Sequence, residues 1–539
     1  MDDTLPLPVL DAMLDLQGDD ELKKTLKEND CAMSTILQPT AMLRREIDLH
    51  EACKKNDAQA VRNILKERID VNCKDNLDRT PLHWAVAKGN TEVVEFLIEA
   101  GCDLEAKDKY GMRAVLWAAL FGHLETLKIL INAGATATCT NKQDMGVLHC
   151  AAQHNHQEVM NFIFESLENL DINCREKNDK TPLHLAAEAG HLQAVMRLID
   201  MGCDAHIRDL NGSTAVHLAA REGHHEIVKR LLLVVTEIDD RDGEGCTTLH
   251  IAAAKGHGEV VEVLLNSNAS SNCETIREMT PLHFAAQLGH TEVCKQLIRH
   301  GANLNAQNHQ GNTALHLAVM GNFKELTRLL VDSKAEVDLP NNRLQTPLHL
   351  AVENGFQDEV EVLLAGNASL SAREKTGKTS LHLAARGSFV AIVDMIIKAE
   401  RYYSTSREYH ENDLDYIDPH TYLRQPAHPS APLMKELLWK LATKHLKEND
   451  WKKLANYWKF MPDHVRAIEH QYTGACSYKE HGYRLFMIWL HGVRKDENIL
   501  KLLFEALVAI DRRALAEQVR RKFTGEPEKP CMHSLCGLI

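Results

Sequence analysis

A four-residue motif, Thr-Pro-Leu-His, recurs along this chain at a spacing that leaves little choice of architecture. It stands intact at residues 80–83, 181–184, 280–283 and 346–349. Degenerate copies end at His50, His149, His217, His250, His316 and His382, and Leu116 keeps the register without the imidazole. The fourth positions are 33 residues apart throughout, except for 35 between His149 and His184. A fixed period of this length implies stacked supersecondary units, each too small to bury its own apolar face. It also explains how 539 residues fold without one outsized core, since such an array grows by adding units.

Each unit reads as two helices. Around Thr280, the Thr-Pro pair opens a helix with proline in the first turn, where its missing N–H costs nothing. Leu282, Ala285 and Ala286 follow at helical spacing, and Gly289-His290 ends that helix. A second amphipathic helix carries Val293, Leu297 and Ile298 and stops at Gly301. Alanine pairs such as Ala186-Ala187 and Ala219-Ala220 permit close helix approach. The two extra residues of the fourth unit are expected to lengthen a loop near residues 166–169.

The period and the T-P-L-H-x-A signature resemble the ankyrin family. That resemblance implies helix-turn-helix units with β-hairpin loops, and partner proteins bound on a concave face. Ten periodic histidines invite a metal-ladder reading, but zinc needs its ligands about 2 Å from one ion, and successive repeats lie a helix layer apart. Each histidine is therefore expected to bond loop backbone and tie adjacent hairpins together. Cys73, Cys174 and Cys273 share one repeat position, too far apart for bridging within the ~7 Å limit, so reduced thiols are expected. Thr376-Gly377-Lys378-Thr379 lacks the upstream glycine of a phosphate-binding loop, with alanine at position 372. No catalytic constellation, cofactor motif or metal motif emerges, and a non-enzymatic chain is expected.

Leu77, Tyr110, Leu210, Ile276 and Leu344 occupy or border hairpin tips. Two readings stay open for them: anchors for a partner protein, or scattered surface apolars. Ankyrin arrays also resemble substrates of asparaginyl hydroxylases, which makes Asn72, after Asp70-Val71, and Asn173, after Asp171-Ile172, candidate hydroxylation positions. The competing reading is an Asn that closes the inter-repeat turn.

Periodicity breaks after Lys398, and a Pro- and Tyr-rich stretch precedes six further amphipathic helices, with Asp450 and Asp463 expected as caps of the second and third. Trp451-Lys452-Lys453-Leu454-Ala455, Ile468-Glu469 and Leu485-Phe486-Met487-Ile488-Trp489 resemble the death-domain pattern. The whole chain then resembles the ankyrin repeat and death domain-containing proteins, of the 1A/1B type. The expected fold class is all-α: an ankyrin-repeat solenoid of about eleven units followed by a six-helix death-domain bundle. The expected divisions are an acidic mobile leader (1–42), ankyrin repeats (43–402), a linker (403–432), the death domain (433–523) and a tail (524–539).

The resemblance implies an intracellular signalling scaffold whose array holds one protein and whose bundle recruits a second, such as another death-domain protein. Lys452, Lys453, Arg512 and Arg513 are the candidate contacts on the bundle, with a merely solvated charged face as the alternative. Residues 431–539 carry 19 Lys and Arg against 13 Asp and Glu, whereas the preceding residues carry 43 against 63. An array this acidic is a poor match for nucleic acid. No signal peptide and no run of ~18 apolar residues is present, so a cytoplasmic chain is expected. The final Cys536-Gly537-Leu538-Ile539 is an imperfect prenylation box. A substrate or regulator of a modifying enzyme is the competing function.

Overall fold

The computed structural model describes residues 44–67, 69–166, 171–406, 428–474, 476–494 and 497–524. The acidic leader, residues 167–169 of the expected loop insertion, most of the linker and the Cys536 box lie outside the described residues. Two compact units divide the chain: the first runs to Thr248 and includes Asn266–Asn268, and the second takes the remainder.

Helices alternate in pairs. The first unit holds α1 (Arg44–Lys54), α2 (Ala58–Leu65), α3 (Pro81–Ala87), α4 (Thr91–Glu99), α5 (Ala114–Phe121) and α6 (Leu124–Asn132). It continues with α7 (Val147–Gln153), α8 (Gln157–Ser166), α9 (Pro182–Glu188), α10 (Leu192–Asp200), α11 (Ala215–Arg221) and α12 (His225–Leu231). From α13 (Thr248–Lys255) and α14 (Gly258–Asn266) onward come α15 (Pro281–Leu288), α16 (Thr291–Arg299), α17 (Ala314–Met320) and α18 (Lys324–Asp332). The last two pairs are α19 (Pro347–Glu353) with α20 (Gln357–Ala365), and α21 (Ser380–Arg386) with α22 (Val390–Ser406). Odd-numbered helices are the inner ones of each repeat and even-numbered helices the outer ones. Alanines 186, 187, 219, 220, 285 and 286 are completely buried, as close helix packing requires.

The motif histidine fixes both its own helix start and the next loop. In the third repeat's neighbour, Thr80 N–H donates to His83 Nδ1 at 3.0 Å, and the opposite nitrogen, Nε2, meets Met112 O at 3.1 Å. A ring nitrogen that accepts an amide must be unprotonated, so the proton sits on Nε2 and donates across to the following repeat. His184 with Ser213 O (3.2 Å), His283 with Asn312 O (3.1 Å) and His316 with Gln345 O (3.1 Å) repeat the arrangement. Burial of these rings holds His83, His149 and His316 down at about 4, and also lowers His184, His217 and His283. These histidines thus tie adjacent repeats together as expected.

A second ladder runs seven residues after the first. His123 Nε2 meets Ala87 O at 3.1 Å, His156 meets Leu120 O at 2.8 Å, and His290 meets Ala254 O at 3.0 Å. These rings lie against the glycine that closes the preceding inner helix. A Cβ on Gly256 would stand 2.6 Å from His290 Nδ1, and its φ of +77° is already left-handed. Gly256→Ala is therefore expected to cost about 3 kcal/mol, from left-handed strain and displacement of the ring. Urea denaturation measures it, and a cost below roughly 1 kcal/mol would show that the ladder yields freely.

The β-hairpin loops form as tight turns rather than strands. Among the described residues the one β-bridge joins Arg241 and Thr247. The loops close through pairs of bonds such as Asp75 N to Arg79 O and Asp78 N to Asp75 O, each at 3.0 Å, too few to extend a ladder.

The bundle comprises α23 (Ala431–Lys440), a π-helical turn (Leu441–His445), α24 (Asp450–Tyr457), α25 (Pro462–His470), α26 (Ser477–His491), α27 (Ile499–Ala509) and α28 (Arg513–Thr524). Leu438, Leu454, Ile468, Leu485, Phe486, Leu503 and Leu507 form its fully buried core. The Trp458 and Trp489 rings stack with centroids 4.4 Å apart. Two expected caps are corrected. Asn449 precedes α24, while Asp450 lies inside it, its carboxylate accepting from Lys447 N at 2.8 Å. Met461 precedes α25, and Asp463 sits in that helix's first turn, where its charge still favours the helix dipole.

Candidate protein-interaction surfaces

Most hairpin tips are organised by the residue eight positions before the fourth residue of the repeat motif. Asp75 Oδ1 accepts from the amides of Leu77 and Arg79, each at 2.9 Å. Asp108, Asn141, Asp209, Asn308 and Asn341 do the same for the amides two and four residues on. Within each unit neighbouring tips are strung together by backbone: Lys109 N donates to Leu77 O at 2.8 Å, and Asn342 N to Gln310 O at 3.1 Å. The apolar side chains of Leu210, Ile276 and Leu344 take no part in this bonding, whereas Lys142 Nζ donates to Lys109 O at 2.7 Å and Asn342 Nδ2 to His309 O at 3.0 Å.

Three of the five expected tip residues stand clear in solvent. Leu210 is 68% exposed, Ile276 75% and Leu344 51%, whereas Leu77 and Tyr110 are half-buried. Leu344 has a further peculiarity. It occupies the turn position at which φ is positive in repeat after repeat, at Asp78, Gly111, Asp144, Asp179, Gly212, Gly245, Glu278, Gly311 and Gly377. Leucine there has φ of +58°, a conformation that a γ-branched chain adopts at a cost. Two apolar side chains escaped the sequence reading: Leu288 and Met320, 52% and 51% exposed at the ends of α15 and α17. Their signal was an apolar residue where most other inner helices end in a polar or small one.

Asn72 and Asn173 serve the inter-repeat turn. Asn72 Oδ1 accepts from Asp103 N at 2.7 Å, and Asn173 Oδ1 from Asp204 N at 3.0 Å. Asn272, in the same phase, bonds Asn303 N at 2.7 Å. On the bundle the four candidate cations differ. Lys453 and Arg513 are exposed. Lys452 pairs with Glu469 at 2.6 Å. Arg512 is a strut: its guanidinium meets the buried Asp450 carboxylate at 2.7 Å and joins α24 to the start of α28.

Sequence comparison agrees with this geometry. The family described as Ankyrin repeats (3 copies) matches residues 49–144, 116–209, 148–242, 183–275, 249–341 and 322–406, and the Death domain family matches 435–523. The chain is an ankyrin repeat and death domain-containing protein. Both of its module types are protein–protein interaction modules, and neither is a catalytic one. Among solved structures, the human ASB11 ankyrin repeat domain is similar to part of this ankyrin repeat and death domain-containing protein. It is 29% identical, with a TM-score of 0.36, over 38% of this chain and 92% of that one. Among the described residues no helix is long and apolar enough to cross a membrane, and no cluster of His, Cys, Asp and Glu could hold a metal.

Proposed function

We propose that this protein is a non-enzymatic adaptor of intracellular signalling, acting in the cytoplasm, whose array holds one partner while its death domain recruits another. The observation that supports it best is Leu344. An exposed leucine held at positive φ, where glycine or aspartate would be less strained, is retained against stability, and strain of this kind concentrates where a chain binds. Ile276 and Leu344 on the tips, with Leu288 and Met320 on the inner helices, supply apolar anchors for that partner. Lys453 and Arg513 are the exposed cations available to the second.

Proximity labelling with the full-length protein tests this reading. Leu344→Gly is expected to stabilise the chain by roughly 1 kcal/mol while removing at least one reproducibly labelled protein. Replacing Lys453 and Arg513 by Glu is expected to remove a different set. If both variants label the same proteins as the parent, the adaptor reading fails.

A further inference from the structure

The outer helix of the last repeat departs from its predecessors in length. Most outer helices of the array have nine residues, but α22 has 17. A repeat helix normally buries one stripe, as α16 does with Val293, Cys294 and Leu297. In α22 Ile392, Val393, Met395, Ile396, Ile397 and Ala399 are buried, an arc as wide as that of α20, and the helix runs on past the usual length. No twelfth repeat follows to cover it. A terminal repeat ordinarily keeps a polar outer face in water, yet here the Asp394 side chain is mostly buried.

The bundle supplies the cover. Arg484 of α26 is itself 5% exposed, and its guanidinium grips the Asp394 carboxylate through Nε at 3.1 Å and Nη2 at 2.5 Å. His464 of α25 approaches Glu400 at 2.6 Å, and Gln471 donates to Ala385 O, near the end of α21, at 3.3 Å. From the array side, Arg401 donates to Trp458 O at 3.2 Å and lies 4.2 Å over the Phe460 ring. Asp394 and Glu400 belong to the acidic array, and Arg484 to the basic bundle. The burial of Arg484 is the telling part, because a desolvated guanidinium is tolerated only against a fixed partner.

We infer that the α25–α26 face of the death domain is a binding surface whose resting partner is the last ankyrin repeat of the same chain. The bundle takes the place of a twelfth repeat. Any protein that uses the α25–α26 face must first displace α22, whereas Lys453 and Arg513 stay open in the closed form. Recruitment is thereby divided into contacts that need no opening and contacts that do.

Hydrogen exchange on the full-length chain tests the inference with Asp394→Arg, Arg484→Glu and the double swap. Each single variant is expected to raise exchange at least tenfold in α22, α25 and α26, leaving α15–α18 unchanged. The double swap is expected to restore most of that protection. Unaltered exchange in both single variants overturns the proposal. So does a double swap no better protected than the singles, since that would indicate damage to the fold rather than loss of a clamp. Arg401→Ala, which removes the contact with Trp458 and Phe460 without reversing a charge pair, guards against misfolding. It is expected to raise exchange in the same three helices about threefold, and no rise there counts against the proposal.

Discussion

Acidification from pH 7 to pH 4 is expected to unfold the ankyrin array. His83, His149 and His316 are held at about 4 in the folded chain, against about 6.5 when unfolded. Between those values the unfolded chain binds more protons, so stability falls as the pH falls. Each such ring contributes about 3 kcal/mol that is present above pH 6.5 and lost by pH 4. Three of them together approach the whole stability of an ordinary domain. The cause is geometric: Nδ1 already accepts a backbone amide, and a proton placed there would face that N–H. Far-UV circular dichroism and urea midpoints across this range give the measurement. A chain equally stable at pH 7 and pH 4 would contradict the ladder's role. His316→Asn should flatten the slope even though it lowers stability at pH 7.

Glu359→Val is expected to stabilise the second unit, by about 3 kcal/mol at pH 8. Glu359 stands on α20 with no exposed surface. In other repeats the equivalent position is Val93, Thr126, Val159, Ala194, Ile227, Val260, Val293, Leu326 and Ile392. Burial pushes its carboxyl up to about 7, and Thr327 on α18 relieves only part of the penalty. A raised carboxyl pKa means that the folded chain holds a proton the unfolded chain has released. Stability is therefore full below about 4.5 and is lost as the pH rises through about 7. The gain from valine should shrink markedly at pH 5, in the opposite sense to the histidine effect. Comparing variant with parent at each pH cancels the ladder. A valine variant no more stable at pH 8 would show that the carboxylate is better solvated than its burial implies.

Much of this was readable in the sequence because a repeat array lets one unit interpret the others. The 33-residue register located the helices and gave the motif histidines their task. The same register carried His123, His156 and His290 in a second row, but without a neighbouring signature they read as loop residues until their bonds were visible. The extension of α22 also left a trace: where other outer helices stop at Gly101, Gly202, Gly301 or Asn367, position 400 is glutamate and nothing breaks the helix. The bond made by Arg512 was a different matter. Arg512 is tied to Asp450, 62 residues earlier, and no local spacing reports a contact made by tertiary folding. Likewise, Asp394 and Arg484 are ordinary surface charges until the helices that carry them are packed together.

The way the tips are closed also bears on how such a protein changes over generations. Most turns are secured by the side chain that opens them and by backbone bonds to the next turn, and apolar apex side chains such as Leu210 and Ile276 take no part. The apex positions accordingly hold residues as unlike as Asn76, Lys109, Lys177, Leu210 and Ile276. Mutation can therefore sample new recognition chemistry at the apices one repeat at a time, while the framework that presents them is inherited intact.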